Sequence, residues 1–445
     1  MTIYDTIIIG GGIAGLYAAY EILKKDPQKS ILILEKAPIL GGRIDTYHDK
    51  YMTVEAGAGR FHEGHALLLN LLKELHLTTK IKKISSGASY APIETPGVFK
   101  DSIQDAPISK STDITVQLTN NIANLATRVI VGEKTIPNAA LLLKVIVASK
   151  LETKETLINT SFIEYAKKVL DTKQIEYIKN TFGYYTELVL MNAYDAIYLM
   201  EKQLTPANQF YVLDGGLSQI IEQLEKQIKK YKNAKILCKK TVSDIYYNDE
   251  KLFEITATTK YYSKNCICAV TKEVLEKLKI FRPIYPMLKK IKSSPLCRIY
   301  CKFAEPWFAS LPKLTTNNNL RMIIPYDTNR KTIMISYTDN KYAEFWKRLY
   351  DEKGEESLNI ELKKQIKQST NLDMQNPIKT KQFYWSHGVG YWGIGADSEK
   401  IAKNIEKPFN NMELYICGEN YSEKNQQWIE GALDTAKNVI SQITR

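Results

Sequence analysis

The stretch DTIIIGGGIAGLYAAY, residues 5–20, decides the fold that we expect for this chain. Residues 6–9 are β-branched, with no polar alternation, which is typical of a parallel strand buried on both faces. Gly10, Gly12 and Gly15 follow with the spacing Gly-x-Gly-x-x-Gly, and the apolar residues after them have helical spacing. The sequence therefore predicts a strand, a bare glycine turn and a helix in direct succession.

The three glycines have different tasks in such a turn. The first permits the tight turn, the second lets a pyrophosphate approach the backbone, and the third lets the helix pack closely on the strand. Residues 30–36, SILILEK, supply a second strand that ends at Glu35, twenty residues after Gly15. An acid at that place accepts hydrogen bonds from the ribose hydroxyls of an adenosine, so the pattern predicts a dinucleotide site.

Length, composition and charge exclude several other classes. The chain has 445 residues, 44% hydrophobic and 25% charged, which is ordinary for a globular protein of two or three domains. Its net charge is +12, but the lysines are scattered and no basic segment with interleaved aromatic residues stands out. We therefore expect no nucleic-acid or membrane partner, although an anionic substrate or cofactor suits the charge. No targeting or membrane-spanning segment is recognisable, and we expect a cytoplasmic protein.

The six cysteines all lie in the second half of the chain, beginning with Cys238. Their placement is not that of a disulfide framework, and no Cys-x-x-Cys pair suggests zinc. We expect reduced cysteines and no metal site.

A second glycine pair distinguishes FAD from NAD as the dinucleotide. In APILGGRIDTYHD, residues 37–49, Gly41 and Gly42 precede Arg43 close behind the second strand. A nicotinamide enzyme has no need of glycines there, whereas an extended FAD whose flavin reaches the next domain does. Arg43 can present its planar guanidinium to the pyrophosphate.

With these residues the chain resembles the flavin-containing amine oxidase superfamily, which includes monoamine, polyamine and L-amino-acid oxidases. A second match is LYICGENYSEKNQQWIEGALDTA, residues 414–436, where the resemblance places Glu419 at the flavin's ribityl or ribose side. Trp428 would wall the substrate site, with core packing as the alternative. The helix that follows would stabilise negative charge on the flavin's pyrimidine oxygen. The segment 237–256 resembles the family's hairpin over the adenine.

The resemblance implies a set of FAD-binding residues gathered from both ends of the chain. They are Gly10, Gly12, Ile13, Ala14, Gly15, Glu35, Lys36, Gly41, Gly42, Arg43, Gly57, Ala58, Gly59, Arg60, Val242, Gly418, Glu419, Trp428, Ile429 and Ala432.

The segment WSHGVGYWGIG, residues 385–395, is where monoamine oxidases attach their flavin covalently. It contains no cysteine here, so we expect non-covalent FAD. Tyr391 or Trp392 is the candidate for a second aromatic wall opposite Trp428, and the sequence does not choose between them. Ordinary packing of this aromatic cluster is the alternative.

Arg60 is the sharpest indication of the substrate. Residues 54–76 resemble the segment in which L-amino-acid oxidases carry an arginine that clamps the substrate carboxylate, and Arg60 falls on that position. A guanidinium forms two parallel bonds to a carboxylate and so selects amino acids over plain amines. Alternatively, Arg60 pairs with Glu55 or Glu63, or serves the FAD phosphates.

Arg298 is the main departure from the family pattern. In PLCRIYCKFAEPWF, residues 295–308, the resemblance places a lysine, linked to the reaction with oxygen, at the position of Arg298. An arginine keeps the charge, but it does not deprotonate and its shape differs. Rapid reoxidation by O2 is therefore in question, and another electron acceptor stays open.

We predict an α/β protein with a Rossmann-like FAD-binding domain (1–80, 205–275 and 380–445) and an inserted mixed α+β substrate domain (81–204 and 276–379). The chemistry implied by the resemblance is that of an FAD-dependent amine oxidase. Hydride passes from an amine-bearing carbon to flavin N5, and the imine hydrolyses to a carbonyl compound and ammonia. O2 takes the electrons and gives hydrogen peroxide. The substrate is an L-amino acid if Arg60 binds its carboxylate, and a monoamine or polyamine oxidase is the alternative. A desaturase or isomerase on the same fold, and a flavin-binding protein without oxidase turnover, are further alternatives.

Overall fold

The computed structural model describes residues 2–85, 87–100, 138–203 and 208–443. Part of the predicted substrate domain, 101–137, lies outside these residues. The strands are β1 Ile3–Ile9, β2 Ile31–Leu34, β3 Thr46–His48, β4 Thr53–Glu55, β5 Phe61–His62, β6 Ile81–Ile84, β7 Ser89–Ala91, β8 Phe210–Leu213, β9 Ala234–Leu237, β10 Asp244–Tyr247, β11 Phe253–Thr256, β12 Lys260–Cys268, β13 Ile291–Lys302, β14 Leu314–Thr316, β15 Met322–Asp327, β16 Thr332–Asp339, β17 Lys379–Trp392 and β18 Leu414–Ile416.

The described α-helices are α1 Ile13–Lys25, α2 Ala66–Glu74, α3 Ala139–Ser149, α4 Lys154–Ile158, α5 Phe162–Ala166, α6 Thr172–Thr181, α7 Ala193–Tyr198, α8 Ser218–Ile228, α9 Lys272–Leu275, α10 Tyr285–Leu288, α11 Asn340–Thr370, α12 Ser398–Ile405 and α13 Ile429–Ile443. The helical run of α11 is interrupted at Gly354, where φ is 74°. Short π-helical turns span Thr186–Leu190 and Leu199–Gln203, and 3-10 turns span Thr78–Lys80, Lys279–Ile284 and Glu419–Tyr421.

A seven-stranded sheet carries the glycine turn. Its order is β10-β11-β12-β1-β2-β9, with β18 also paired to β12. The central strand β1 runs parallel to both β2 and β12. Ile7 and Ile8, which point to opposite faces of β1, are both fully buried, as the unbroken β-branched run predicted.

Helices cover one face of this sheet, and the small residues of α1 let this helix pack closely against the strands. Ala18 and Ala19 of α1 are fully buried in the core that α1 shares with α8 and α13. On the other face, Phe281 and Ile405 pack against Ile7 and Ile9 in a second core. The result is a helix-covered, mainly parallel sheet of the Rossmann type, which confirms the predicted fold class.

A six-stranded sheet, in the order β17-β13-β16-β15-β14-β7, forms the other layer. The long strands β13 and β17 pair antiparallel from Ile291 opposite Trp392 to Lys302 opposite Lys379. Helix α11 packs on one side of this sheet, with Trp346 fully buried there. By its hydrogen bonds, β17 belongs to the six-stranded sheet. The domain boundary that we predicted at 380 falls inside this strand.

The helices α3 to α7 form a third core, which includes Leu142, Phe162, Ile178 and Ile197. No helix in the described ranges is long and apolar enough to cross a membrane.

Candidate active site

A cavity of about 1170 Å³ runs between the two large sheets. It begins at the glycine turn after β1 and the end of β2, passes the second glycine pair, and continues to β13, β15 and β16 of the other sheet. Its volume exceeds the ~300–1,000 Å³ of an ordinary small-molecule pocket. The space suits an extended cofactor together with a substrate.

The first glycine turn shapes one end of this cavity. A Cβ on Gly15 would lie 2.1 Å from the Gly10 carbonyl oxygen, and a Cβ on Gly10 would lie 2.4 Å from that of Ala269. A Cβ on Gly12, by contrast, would meet only the Gly41 carbonyl oxygen, at 3.9 Å. Gly15 and Gly10 are therefore needed for packing, whereas Gly12 leaves the turn bare toward the cavity, as the spacing predicted.

The N-terminus of α1 is open to the same space. Its N-cap residue, Gly12, provides no side-chain hydrogen bond to the free amides, and Ile13 and Ala14 line the cavity. Such an uncapped helix start offers amide donors and the positive end of the helix dipole to an anion.

Glu35 lies at the end of β2 beside this turn and is 8% exposed. Its two carboxylate oxygens accept hydrogen bonds from the backbone amides of Gly11 and Ala37, each at 2.7 Å. These bonds hold the carboxylate in place at the cavity wall, where its remaining lone pairs can accept hydrogen bonds from ribose hydroxyls.

Gly41, Gly42 and Arg43 continue the wall. Arg43 forms an ion pair with Glu419, whose other carboxylate oxygen accepts from the Gln427 amide at 2.9 Å. This pair joins the N-terminal and C-terminal parts of the site.

The N-terminal end of α13 closes the far side of the cofactor space. Trp428, Ile429 and Ala432 line the cavity there. The indole Nε1 of Trp428 is buried and has no hydrogen-bond partner in the described part of the chain. The structure thus places a helix N-terminus at each end of the cofactor space.

Of the predicted FAD-binding residues, all except Gly15 line the cavity. Gly15 instead serves the strand–helix contact. The bare Gly12, the open start of α1, the fixed Glu35 carboxylate and the second helix N-terminus are the donor and acceptor set that a flavin dinucleotide requires, and the residues present fit FAD.

Arg60 reaches the cavity between aromatic rings. Its guanidinium carbon lies 4.7 Å from the centre of the Phe210 ring and 5.9 Å from that of Trp428, and Nη2 donates to the Tyr184 hydroxyl at 3.4 Å. No carboxylate oxygen of the described residues lies within 4.0 Å of it, so the alternative pairing with Glu55 or Glu63 is not observed.

Arg298 of β13 is buried in the cavity wall. Its Nη1 donates to the Glu55 carbonyl oxygen at 3.0 Å, and the guanidinium carbon lies 4.7 Å from the centre of the Tyr337 ring. Burial alone would lower the pKa of Arg298, but Tyr337, Tyr300 and Glu55 outweigh it and raise the pKa above its ordinary value. The guanidinium therefore stays charged.

Tyr391 and Trp392 are not among the residues that line the cavity. Tyr391 packs into the core of the helices α3 to α7, and Trp392 lies in the core beneath the seven-stranded sheet, where its Nε1 donates to the Glu423 carbonyl oxygen at 3.3 Å. Strand β17 lines the cavity at 385–389 instead, and there it contributes the indole of Trp385, whose Nε1 donates to the Ala56 carbonyl oxygen at 2.8 Å.

Glu187 and Lys313 are two of the titratable cavity residues that were not predicted from the sequence. Glu187 is 5% exposed, and burial, followed by the nearby Asp339 carboxylate, raises its pKa. Lys313 directly precedes β14, and burial, followed by the charge of Arg60, lowers its pKa to about 7. Neither lies in a recognisable motif, since the residues that surround them are distant in sequence.

Comparison with known proteins agrees with this geometry. The model of the family described as flavin containing amine oxidoreductase matches residues 13–443. The chain belongs to this family. This flavin amine oxidoreductase is therefore an FAD-dependent enzyme acting on CH–NH2 groups, which confirms the predicted cofactor and reaction class.

Three of the proteins to which this flavin amine oxidoreductase is similar are the following. An uncharacterized protein of Acanthamoeba polyphaga mimivirus is 23% identical over 506 residues, covering 98% of this chain and 93% of that protein. A coproporphyrinogen III oxidase of Bacillus subtilis is 34% identical over 88 residues, 19% of each chain. A solved putrescine oxidase variant has a TM-score of 0.76 at 14% identity, covering 99% of this chain and 98% of that one, which shows the shared fold alone.

Proposed function

We propose that this flavin amine oxidoreductase oxidises the α-amine of an L-amino acid, with Arg60 binding the substrate carboxylate. The observation that carries the proposal is the cavity-facing guanidinium of Arg60, which no carboxylate of the described residues neutralises. A guanidinium left without an anionic partner in a partly buried aromatic setting is suited to bind a carboxylate ligand through two parallel hydrogen bonds.

The neighbouring groups suit an anionic substrate. Because its pKa is raised, Glu187 keeps its proton up to a higher pH than an ordinary carboxyl group does. It therefore adds little negative charge beside the substrate. Tyr184, Tyr337, Trp385 and Trp428 line the same cavity, and their aromatic rings would limit the access of water to a bound substrate.

Bound FAD supplies the acceptor for the hydride that leaves the α-carbon of the neutral amine. The first glycine turn and the start of α1 would hold the pyrophosphate, Glu35 the ribose, and the start of α13 the flavin end. Arg60 would orient the substrate by its carboxylate. The resulting imine hydrolyses to a 2-oxo acid and ammonia, and we propose O2 as the electron acceptor.

Anaerobic reduction of the flavin tests this function. We expect L-amino acids to bleach the flavin spectrum of the purified enzyme, and plain amines such as putrescine or benzylamine to bleach it slowly. Loss of two charge-assisted hydrogen bonds in Arg60→Ala should weaken amino-acid binding at least about 100-fold while the FAD content stays unchanged. Arg60→Lys should recover part of the binding.

A matched control is Arg330, which lines the cavity but is ion-paired to Asp327 at 3.3 Å, with its side chain 64% exposed. Arg330→Ala should leave the preference for amino acids unchanged. Bleaching by polyamines or arylamines alone would contradict the proposal. Loss of FAD from Arg60→Ala with unchanged substrate preference would instead assign Arg60 to the cofactor.

A second candidate is oxidation of a porphyrinogen. It is favoured by the local identity to the coproporphyrinogen III oxidase, although that likeness spans only 19% of this chain. Anaerobic bleaching by coproporphyrinogen III, with none by any amino acid or amine, would establish this candidate in place of the first.

A further inference from the structure

A second cation stands near Arg60 in the cavity. Lys313 directly precedes β14, and its carbonyl oxygen accepts a 2.9 Å hydrogen bond from the Ser89 amide of β7. This bond and the pairing of β14 with β7 and β15 fix the backbone of Lys313 in the six-stranded sheet. Its side chain lines the same cavity as Arg60.

Like Arg60, Lys313 has no carboxylate partner among the described residues, whereas two other cations of the same cavity have one. Lys82 is paired to Asp214 at 2.9 Å, and Arg43 is paired to Glu419. For the ammonium group of Lys313, the described residues provide no carboxylate within 4.0 Å.

The acidic residues lining the cavity near Arg60 are otherwise engaged. Asp339 accepts hydrogen bonds from the Tyr185 amide at 2.8 Å and the Thr186 amide at 2.6 Å. Glu187 is held toward its neutral form by burial and by Asp339. Burial and Arg60 accordingly lower the pKa of Lys313, because its charged form is partly withdrawn from water and has no carboxylate partner.

We infer that the substrate is an amino acid whose side chain ends in a carboxylate, with Arg60 binding the α-carboxylate and Lys313 binding the side-chain carboxylate. This inference rests on the proposed function and adds the identity of the side chain. Arg60 and Lys313 lie close enough to repel each other electrostatically, and neither has a carboxylate partner among the described residues. This pair favours a ligand with two anionic groups, since each cation would gain a charge-assisted partner.

The test compares L-glutamate with L-glutamine, which have the same shape and differ in one charge. At mildly acidic pH, where Lys313 is protonated, glutamate should reduce the flavin anaerobically with an efficiency at least about tenfold above that of glutamine. Lys313→Met should remove this preference for glutamate. It should lower the efficiency with glutamate and leave the efficiency with glutamine within about threefold of the wild-type value. Lys82→Met is the matched control and should keep the wild-type ratio.

A binding measurement on the wild-type holoenzyme guards against a variant that fails to fold. Glutarate, which has two carboxylates and no amine, should bind at least about tenfold more tightly than butyrate, with the change in the flavin spectrum as the measure of binding. Equal binding of glutarate and butyrate, or an unchanged glutamate ratio in a folded Lys313→Met, would overturn the inference.

Failure of the inference is distinguishable from failure of the proposed function. If glutamine and norleucine reduce the flavin better than glutamate, and Arg60→Ala still abolishes that reduction, the substrate is an amino acid with an uncharged side chain and only the role of Lys313 falls. If no amino acid reduces the flavin, both fall together.

Discussion

At the scale of single residues, Arg298 is the change with the clearest chemical consequence. The guanidinium is anchored on one side by the Glu55 carbonyl oxygen and on the other by the ring of Tyr337. It keeps a positive charge in the cavity but does not release a proton, unlike the lysine that the family resemblance places there. Binding and oxidation of a substrate are compatible with this residue, whereas the reaction with oxygen is where it should differ.

Arg298→Lys should therefore accelerate reoxidation of the reduced enzyme by O2 by at least about tenfold, because a lysine can exchange its proton. The flavin reduction rate should change much less. Stopped-flow mixing of the reduced enzyme with oxygenated buffer measures the first rate, and mixing with an artificial electron acceptor is the control. If wild type and variant react with O2 equally fast, Arg298 does not limit the oxygen reaction.

At the scale of elements, the strand–turn–helix unit separates two uses of glycine. Gly15 is required because a Cβ there would overlap the backbone of Gly10, whereas Gly12 is free of such overlap and is bare toward the cavity. Gly12 is therefore needed so that an anion can reach the N-terminus of α1, and it is not needed for the helix to form.

This difference predicts opposite outcomes for two similar substitutions. Gly12→Ala should change the unfolding free energy by less than about 0.5 kcal/mol but weaken FAD binding at least about tenfold, since the methyl group occupies the approach to the pyrophosphate. Gly15→Ala should destabilise the FAD-free protein by about 1–3 kcal/mol, since helix and strand must move apart. Urea unfolding and flavin fluorescence titration measure the two effects. Wild-type FAD affinity in Gly12→Ala would contradict this assignment.

At the scale of the whole molecule, packing of the sheets and helices buries several carboxyl groups outside ion pairs. Burial raises the pKa of Glu55 to about 7 and that of Asp195 to about 7. The folded protein therefore keeps protons that the unfolded chain, with ordinary carboxyl pKa values, releases between about pH 4.5 and 7. Stability should consequently fall as the pH rises through this window.

Asp195→Asn tests this dependence at a residue that does not line the cavity. Each such group contributes a slope of up to about 1.4 kcal/mol per pH unit, so the variant should show a flatter decline between about pH 5 and 7. Urea unfolding with saturating FAD at several pH values gives the slopes. A parallel curve for wild type and variant would show that Asp195 titrates normally in the folded protein.

The sequence by itself determined the cofactor half of this protein. Glycine spacing, a β-branched strand and an acid at its end are local features, and the backbone geometry they require is local too, so Gly12 and Glu35 could be predicted from them. The start of α13 was predicted through the family resemblance. Arg60 was found through a local resemblance, and its role stays a proposal.

Only the tertiary structure decided the other half of the cavity. Trp385 rather than Tyr391 or Trp392 lines it because the course of β17 between β13 and the helical core sets which side chains face inward. Lys313 and Glu187 have no motif, since their pKa shifts come from burial and from charged residues that are distant in the chain, Arg60 and Asp339. Desolvation depends on what surrounds a group in space, and no stretch of sequence contains that information.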